Sequence, residues 1–453
     1  MHKSKLQQHE RGDTSLNDVH DIIGVGFGPA NIALAIALEE SHPGMRAVFV
    51  ERSLDPQWQP EMLIPGTDVQ HHPVRDLVSL RNPRSRYSFI NFLFEQGRLV
   101  EHLNLPSAFP LRAEYAQYLT WVRQELSSNV LYGREVHAIS RVEIDGEQLY
   151  QVQLDDTTAL TGRAVVLAPG RTPNIPEVFS DAQTDRIRHL TEYRTLVDAL
   201  APEQGRRFAV VGGSQSAVEI VLDLGDRFPD AEIHLLTRGW SLRAKDHSPF
   251  SEEIYSPEFT AYYHGNDERG RRRLDAYTRP TNYSAADMDV LDRLYMRIYE
   301  QRITTGQRVH VHGDADITHV ESLVDSVRIE WQRRGDGHEH VLVASHVVLA
   351  TGFLDMGKGE RLEPHHPLLV DVAEDHRHTE SGALDVAVDY ALIPSRDGVP
   401  PMFLNGLCES THGIGDAGSF SLLSLRAETI AEALRTHLVQ HAPSCEMEYH
   451  HVP

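Results

Sequence analysis

Three closely spaced glycines, Gly24, Gly26 and Gly28, followed by Pro29, are the first residues in the chain with an evident chemical use. They end an apolar run, Asp21 to Val25, and open a stretch of helical composition from Ala30 to Glu39. Glycines at a strand-to-helix turn let the backbone bend sharply and let a pyrophosphate approach the helix N-terminus, where free N–H groups and the helix dipole favour negative charge. Pro29 stands where the dinucleotide fingerprint has its third glycine. With φ fixed near the helical value and no N–H, proline suits a first helical position. Glu51 lies 27 residues beyond Gly24, at the end of the next apolar run, where a carboxylate can accept from ribose hydroxyls. Together these residues predict a dinucleotide site.

The same grammar returns at Gly212-Gly213-Ser214-Gln215-Ser216, with Thr237-Arg238 closing the following strand. A carboxylate there would repel a 2'-phosphate, whereas arginine can pair with it bidentately, so this turn predicts NADPH. The competing reading of Arg238 is a solvated surface charge. Two dinucleotide sites, the first for a tightly held FAD and the second for a nicotinamide donor, describe a flavoprotein oxidoreductase, and the next question is where its electrons go. The two cysteines, Cys408 and Cys445, are far apart and neither follows the first turn, which rules against a disulfide acceptor. Oxygen is the next candidate, with the reduced flavin forming a C4a-hydroperoxide that passes one oxygen to a substrate.

Positioning these turns requires two strand–turn–helix units. Two further buried runs, Ala164 to Pro176 and His346 to Phe353, end in small-residue turns, the second containing Thr351 and Gly352. Each follows a segment of period-two alternation, which predicts antiparallel hairpins feeding a central sheet. The expected fold class is α/β, with two Rossmann-like dinucleotide-binding domains, for FAD and NADPH, and a small helical substrate region. The expected organisation is a disordered N-terminus at 1–19, an FAD-binding domain from 20–204 plus 346–440, an inserted NADPH-binding domain at 205–345 and a flexible tail at 441–453.

Bulk properties narrow the function classes. Of 453 residues, 43 are Lys or Arg against 66 Asp or Glu, and the net charge of -23 opposes nucleic-acid binding. The polar N-terminus has no apolar signal segment, and no stretch reaches membrane-spanning length, so a cytoplasmic protein without a membrane partner is expected. The 27 histidines are scattered, and the pairs His71-His72 and His450-His451 lack companions at metal-ligand spacing, so no metal site is expected.

Several stretches together carry a family resemblance: GVGFGPANIALAIALEE, VQHHPVRDLVSLRNPRSRYSFINFL, FPLRAEYAQYLTW, VVGGSQSAVE, SPFSEEIYSP, TNYSAADMDVLDRLY, ATGF and THGIGD. In this order, from about residue 20 to about residue 435, the chain resembles the microbial N-hydroxylating flavin monooxygenases. That group includes the L-ornithine N5- and L-lysine N6-monooxygenases of hydroxamate siderophore biosynthesis. The resemblance implies FAD, NADPH with NADP+ retained during turnover, dioxygen, a small primary amine and a dimeric or tetrameric assembly. It places Trp58, Met62 and Gln70 beside the flavin, Asn282 with Gln70 at the reacting centre, Arg238 at NADPH, and Thr351 and Gly352 among the cofactor contacts. Trp58 and Met62 as ordinary core, and Gln70 and Asn282 as partners of buried backbone, remain the alternatives.

The chain departs from the family pattern around the expected substrate. Where the family has F-L-K-D-L, with a lysine that grips the substrate α-carboxylate, this chain has Arg75. Lysine and arginine are not interchangeable at such a site. The asparagine of S-P-F-x-N-E is replaced by Glu252, and Trp58 is followed by Gln59 in place of histidine. Ser419 and Ser421 fall where the family's last helix approaches the substrate, in a segment one residue longer than usual. If Arg75 grips a carboxylate, the substrate is of the L-ornithine or L-lysine type. If it pairs with Glu252, an amine without a carboxylate, such as putrescine, cadaverine or histamine, is favoured. A non-catalytic redox sensor binding both nucleotides is the alternative of another class.

Overall fold

The computed structural model describes residues 18–440 except 156, 183 and 202–204. The segments expected as a disordered N-terminus and a flexible tail therefore lie almost wholly outside the described residues, as do Cys445 and the pair His450-His451.

The first sheet begins with the predicted unit: β1 (Val19–Val25), helix α1 (Pro29–Ser41) and β2 (Ala47–Glu51). To these the chain adds β3 (Asn129–Tyr132), then an antiparallel meander of β4 (Val136–Ile144), β5 (Glu147–Leu154) and β6 (Ala159–Leu167), in the order β3-β2-β1-β6-β5-β4. Beyond Gly162, where β5 stops pairing, the strand Met402–Leu404 takes over the free edge of β6. α1 is buried along its whole middle, Asn31 to Leu38, because the C-terminal helix α3 (Leu423–Gln440) packs over its outer side. That enclosure explains why α1 is apolar around its circumference rather than striped.

The second sheet is parallel, in the order β10-β9-β8-β14-β7. It contains β7 (Ile187–His189), β8 (Arg207–Val211), β9 (Glu232–Leu236), β10 (Val309–His312) and β14 (His346–Leu349), with helix α2 (Gln215–Arg227) after β8. Between β10 and β14 stands an antiparallel sheet of β11 (Ala315–Ser322), β12 (Val327–Arg333) and β13 (Glu339–Ala344). The alternation of β14 fits two covered faces: Val348 packs towards α2, while Val347 and Leu349 pack with Ile329 and Trp331.

This topology differs from the sequence-based organisation at both domain boundaries. β7 and β14 fall inside the segments 20–204 and 346–440, yet both pair in the second sheet. A strand buried on both faces reads alike in either sheet, so the apolar run alone did not say which sheet it joins. The hairpins before β6 feed the first sheet as expected; those before β14 feed the second.

Where the chain crosses between sheets, its two crossings adhere. Asn174 N–H donates to Gly352 O at 2.9 Å and Leu354 N–H to Thr172 O at 2.8 Å, with Pro173 bridged to Phe353. The result is a two-stranded ribbon joining the two bodies. Among the described residues no helix is long and apolar enough to cross a membrane.

Candidate active site

The first turn is built to leave its helix end free. Gly26 has φ +81°, and a Cβ there would fall 2.3 Å from Ala168 O, so only glycine fits. At Gly28 a Cβ would meet nothing within 4 Å: the turn faces open space. Gly28 caps α1 without any side-chain bond, and Pro29 opens the helix. Glu51 accepts from Phe27 N–H at 2.9 Å and Ser53 N–H at 3.0 Å, fixing its carboxylate beside the turn. An uncapped helix end, an open face and a carboxylate at the adjoining strand end fit a dinucleotide's pyrophosphate and ribose.

Asn31 shows why the turn keeps its shape. Its amide donates to Gly26 O at 2.8 Å and accepts from Asn405 Nδ2 at 3.1 Å. Asn405 accepts from Arg426 Nε at 3.0 Å, and Arg426 reaches Asp416 Oδ1 at 2.7 Å. The buried network thus ties the first turn to the distant THGIGD segment.

At the second turn, Ser214 caps α2 without a side-chain bond, and Ser216 is half-buried in the first helical turn. Gln215, expected to contact cofactor, is otherwise employed. Its side chain accepts from Asp287 N–H at 2.7 Å and donates to Glu219 at 3.0 Å, and its own N–H donates to Ala285 O at 3.1 Å. Position one of the helix points inward here, so the polar side chain satisfies buried backbone. Arg238 is exposed, with Glu360 at 3.3 Å. Thr351 and Gly352 belong to the ribbon: Thr351 Oγ1 donates to Asn174 O at 2.5 Å, and Thr351 O accepts from Arg361 Nη2 at 3.1 Å.

Arg361 was not foreseen in the sequence. Burial, and then the nearby charges of Arg279 and Arg238, hold its pKa below the ordinary value, so three arginines gather near Thr351. Its Nε is buried with no partner among the described residues. An unsatisfied guanidinium donor in a cationic corner fits the phosphate of a nicotinamide dinucleotide. Positions 238, 279 and 361 share no spacing that could have announced this.

On the flavin side, Trp58 stands edge-on to Tyr115 and Phe420, with ring centroids 5.8 and 5.3 Å away. Met62, expected beside the flavin, instead lies buried in the core under α2, and its carbonyl accepts from Arg112 at 2.9 Å. An apolar side chain in a turn is recruited by whichever core lies nearest. Gln70 has φ +57°, and its Oε1 accepts from Lys245 Nζ at 2.5 Å. Lys245 is nearly fully buried, and burial lowers its pKa against the pull of Asp287 at 3.6 Å. Asn282 lies against the last segment, its Nδ2 3.2 Å from where a Cβ on Gly418 would sit. Next to it, Tyr283 donates to Glu409 at 2.6 Å and accepts from Arg171 at 3.2 Å.

The substrate candidates converge. Arg75 is presented by a loop whose Asp76 accepts from the N–H groups of Val78, Ser79 and Phe89 at 2.6–2.9 Å. Arg75 Nη1 donates to Glu252 Oε2 at 3.0 Å and to Ser421 Oγ at 3.1 Å, and the guanidinium lies 5.5 Å from the Tyr255 ring centre. Ser421 is buried, and its N–H donates to Ser419 Oγ at 3.0 Å. Hydrogen bonding from His247, and then Arg75, keeps the Glu252 carboxyl below its usual range despite partial burial. Lys245 and His247 were both missed by sequence reasoning. Single charges in a polar loop carry no periodic signal.

The chain is similar over most of its length to known proteins. The family described as L-lysine 6-monooxygenase/L-ornithine 5-monooxygenase matches residues 18–355. The L-ornithine N(5)-monooxygenase of Burkholderia cepacia is 35% identical over 87% of this chain and 90% of its own. That of Pseudomonas aeruginosa is 32% identical over 93% of this chain and 94% of its own. The ornithine N-hydroxylase of Kutzneria sp. 744, solved with reduced FAD, NADP+ and L-ornithine, superposes with a TM-score of 0.85 at 31% identity, covering 92% of this chain and 99% of that one.

Proposed function

The chain belongs to the L-lysine 6-monooxygenase/L-ornithine 5-monooxygenase family, and from that premise we propose which residues serve its chemistry and which amine it takes. It is an FAD- and NADPH-dependent N-hydroxylating monooxygenase. Bound FAD, reduced by NADPH, supplies the oxygen-activating chemistry; the protein supplies binding, orientation and a dry, charged pocket.

In this reading Gly24, Gly26, Gly28 and Pro29 seat the FAD pyrophosphate, Glu51 its ribose, and Trp58 and Gln70 border the flavin. Gly212, Ser214 and Ser216 seat NADPH, with Arg238 on the 2'-phosphate. Asn282 and Gln70 orient the reacting amine. Arg75, Glu252 and Ser421 face the rest of the substrate.

The preferred substrate is a small primary amine that needs no carboxylate grip, of the putrescine, cadaverine or histamine kind. One observation supports this: the guanidinium that would grip a carboxylate is already paired with Glu252 at 3.0 Å. The deciding experiment is a panel of putrescine, cadaverine, histamine, L-ornithine and L-lysine with FAD-loaded enzyme, NADPH and oxygen, scored for hydroxylamine against hydrogen peroxide. Hydroxylamine from a carboxylate-free amine supports the reading; hydroxylamine from the amino acids alone overturns it. A second reading, L-ornithine, is favoured by the names of the relatives. The reading also includes a homo-oligomer, dimer or tetramer, in the cytoplasm. The exposed row Met288, Tyr295, Tyr299 and Ile303 on one helix supports the assembly.

A further inference from the structure

Glu252 has two cationic partners. While Oε2 accepts from Arg75, Oε1 lies 3.4 Å from His247 Nδ1, and His247 Nε2 lies 2.7 Å from Asp287 Oδ1. A ring with a carboxylate at each nitrogen is a double donor, which is the imidazolium form. Asp287 and Glu252 hold its pKa up to about 9, against partial burial and the charge of Lys245. The groups around it are these three and the adjacent Asp246, with Arg75 on the far side of Glu252.

A substrate carboxylate can recruit Arg75 only by drawing it from Glu252. If Arg75 were the sole partner, that move would strand a half-buried carboxylate, and an unpaired charge in such a position is costly. With the imidazolium in place, Glu252 keeps a counter-charge when Arg75 leaves.

We propose that His247 is a specificity-determining positioning residue, the reserve partner of Glu252, whose proton decides whether Arg75 is released to a substrate carboxylate. Protonated, it admits amino-acid amines beside carboxylate-free ones; neutral, it leaves Arg75 committed to Glu252 and restricts the site to amines without a carboxylate. The inference rests on the amine-hydroxylase reading of the same pocket and adds the rule by which the pocket sorts its substrates.

Putrescine and L-ornithine make the matched pair for a test, because they differ by one carboxylate. Dissociation constants for both are measured with the FAD-loaded full chain by flavin absorbance and calorimetry, for the native protein, His247→Gln, Glu252→Gln and the double variant. FAD content and melting temperature establish that each variant is folded. Near neutrality, His247→Gln should raise the ratio of the L-ornithine to the putrescine constant roughly tenfold, the loss of about one charge interaction. Towards about pH 10 the native ratio should approach that of His247→Gln, since titration of the ligands is common to both proteins. In the Glu252→Gln background, His247→Gln should leave the ratio unchanged, which a merely structural role would not produce. A ratio insensitive to His247→Gln, or equally sensitive with and without Glu252, overturns the proposal. Failure of the native protein to bind or hydroxylate either amine overturns the underlying substrate reading, and this proposal with it.

Discussion

Arg75 and Glu252, 177 residues apart in sequence, meet at 3.0 Å with Ser421 as a third partner, so a loop after the first strand unit and a loop after the second close on each other through one ion pair. Removing the carboxylate is the direct test of what the pair withholds. Glu252→Asn should lower the KM for L-ornithine at least tenfold relative to putrescine, measured as hydroxylamine formation, because Arg75 is left free for a carboxylate. Arg75→Ala in the same assay should cost a carboxylate-free amine far less than it costs L-ornithine.

The charge on His247 also has a stability signature. Its folded-state pKa, about 9, lies above the ordinary value of 6.5. The stabilisation is therefore fully present below about pH 6.5 and is lost as pH rises towards about 9. The difference in denaturation free energy between the native protein and His247→Gln should be constant in mild acid and shrink across that window. A difference that grows with pH would contradict the assignment.

Arg426 and Asp416 form a fully buried pair, 3% and 0% exposed at their side chains, and the same guanidinium holds Asn405 and through it Asn31. Arg426→Ala strands Asp416 and should cost about 3–5 kcal/mol in urea denaturation. FAD retention on gel filtration should fall with it, because the first turn loses its anchor.

Arg238→Ala should collapse the preference for NADPH over NADH, read as the ratio of kcat/KM values, while leaving FAD content unchanged. Arg361→Ala should weaken NADP+ binding in a direct titration, since its Nε, without a partner among the described residues, is the donor a phosphate would satisfy.

Local grammar carried the two strand–turn–helix units into the structure intact: Gly26 and Gly28 adopt the conformations their positions demand, and Glu51 stands beside the turn it was expected to serve. What escaped the sequence was pairing over long separations. The runs that became β7 and β14 carry no mark of which sheet they join. Gln215 reads as a cofactor contact until the backbone of Asp287 arrives to claim its side chain. Met62 reads as a flavin neighbour until the core beneath α2 encloses it. Arg75 and Glu252 were visible as departures from a family pattern, and their pairing was foreseen as one of two outcomes. His247 and Lys245 have meaning only through partners that folding brings from elsewhere in the chain.

The ribbon formed by residues 172–174 and 352–354 has a mechanical consequence. A body attached by one strand can pivot in any direction, whereas one attached by two bonded strands is stiff against twist and free chiefly in a single hinge direction. In this protein two further contacts between distant segments, Gln70 with Lys245 and Arg75 with Glu252, add to the ribbon.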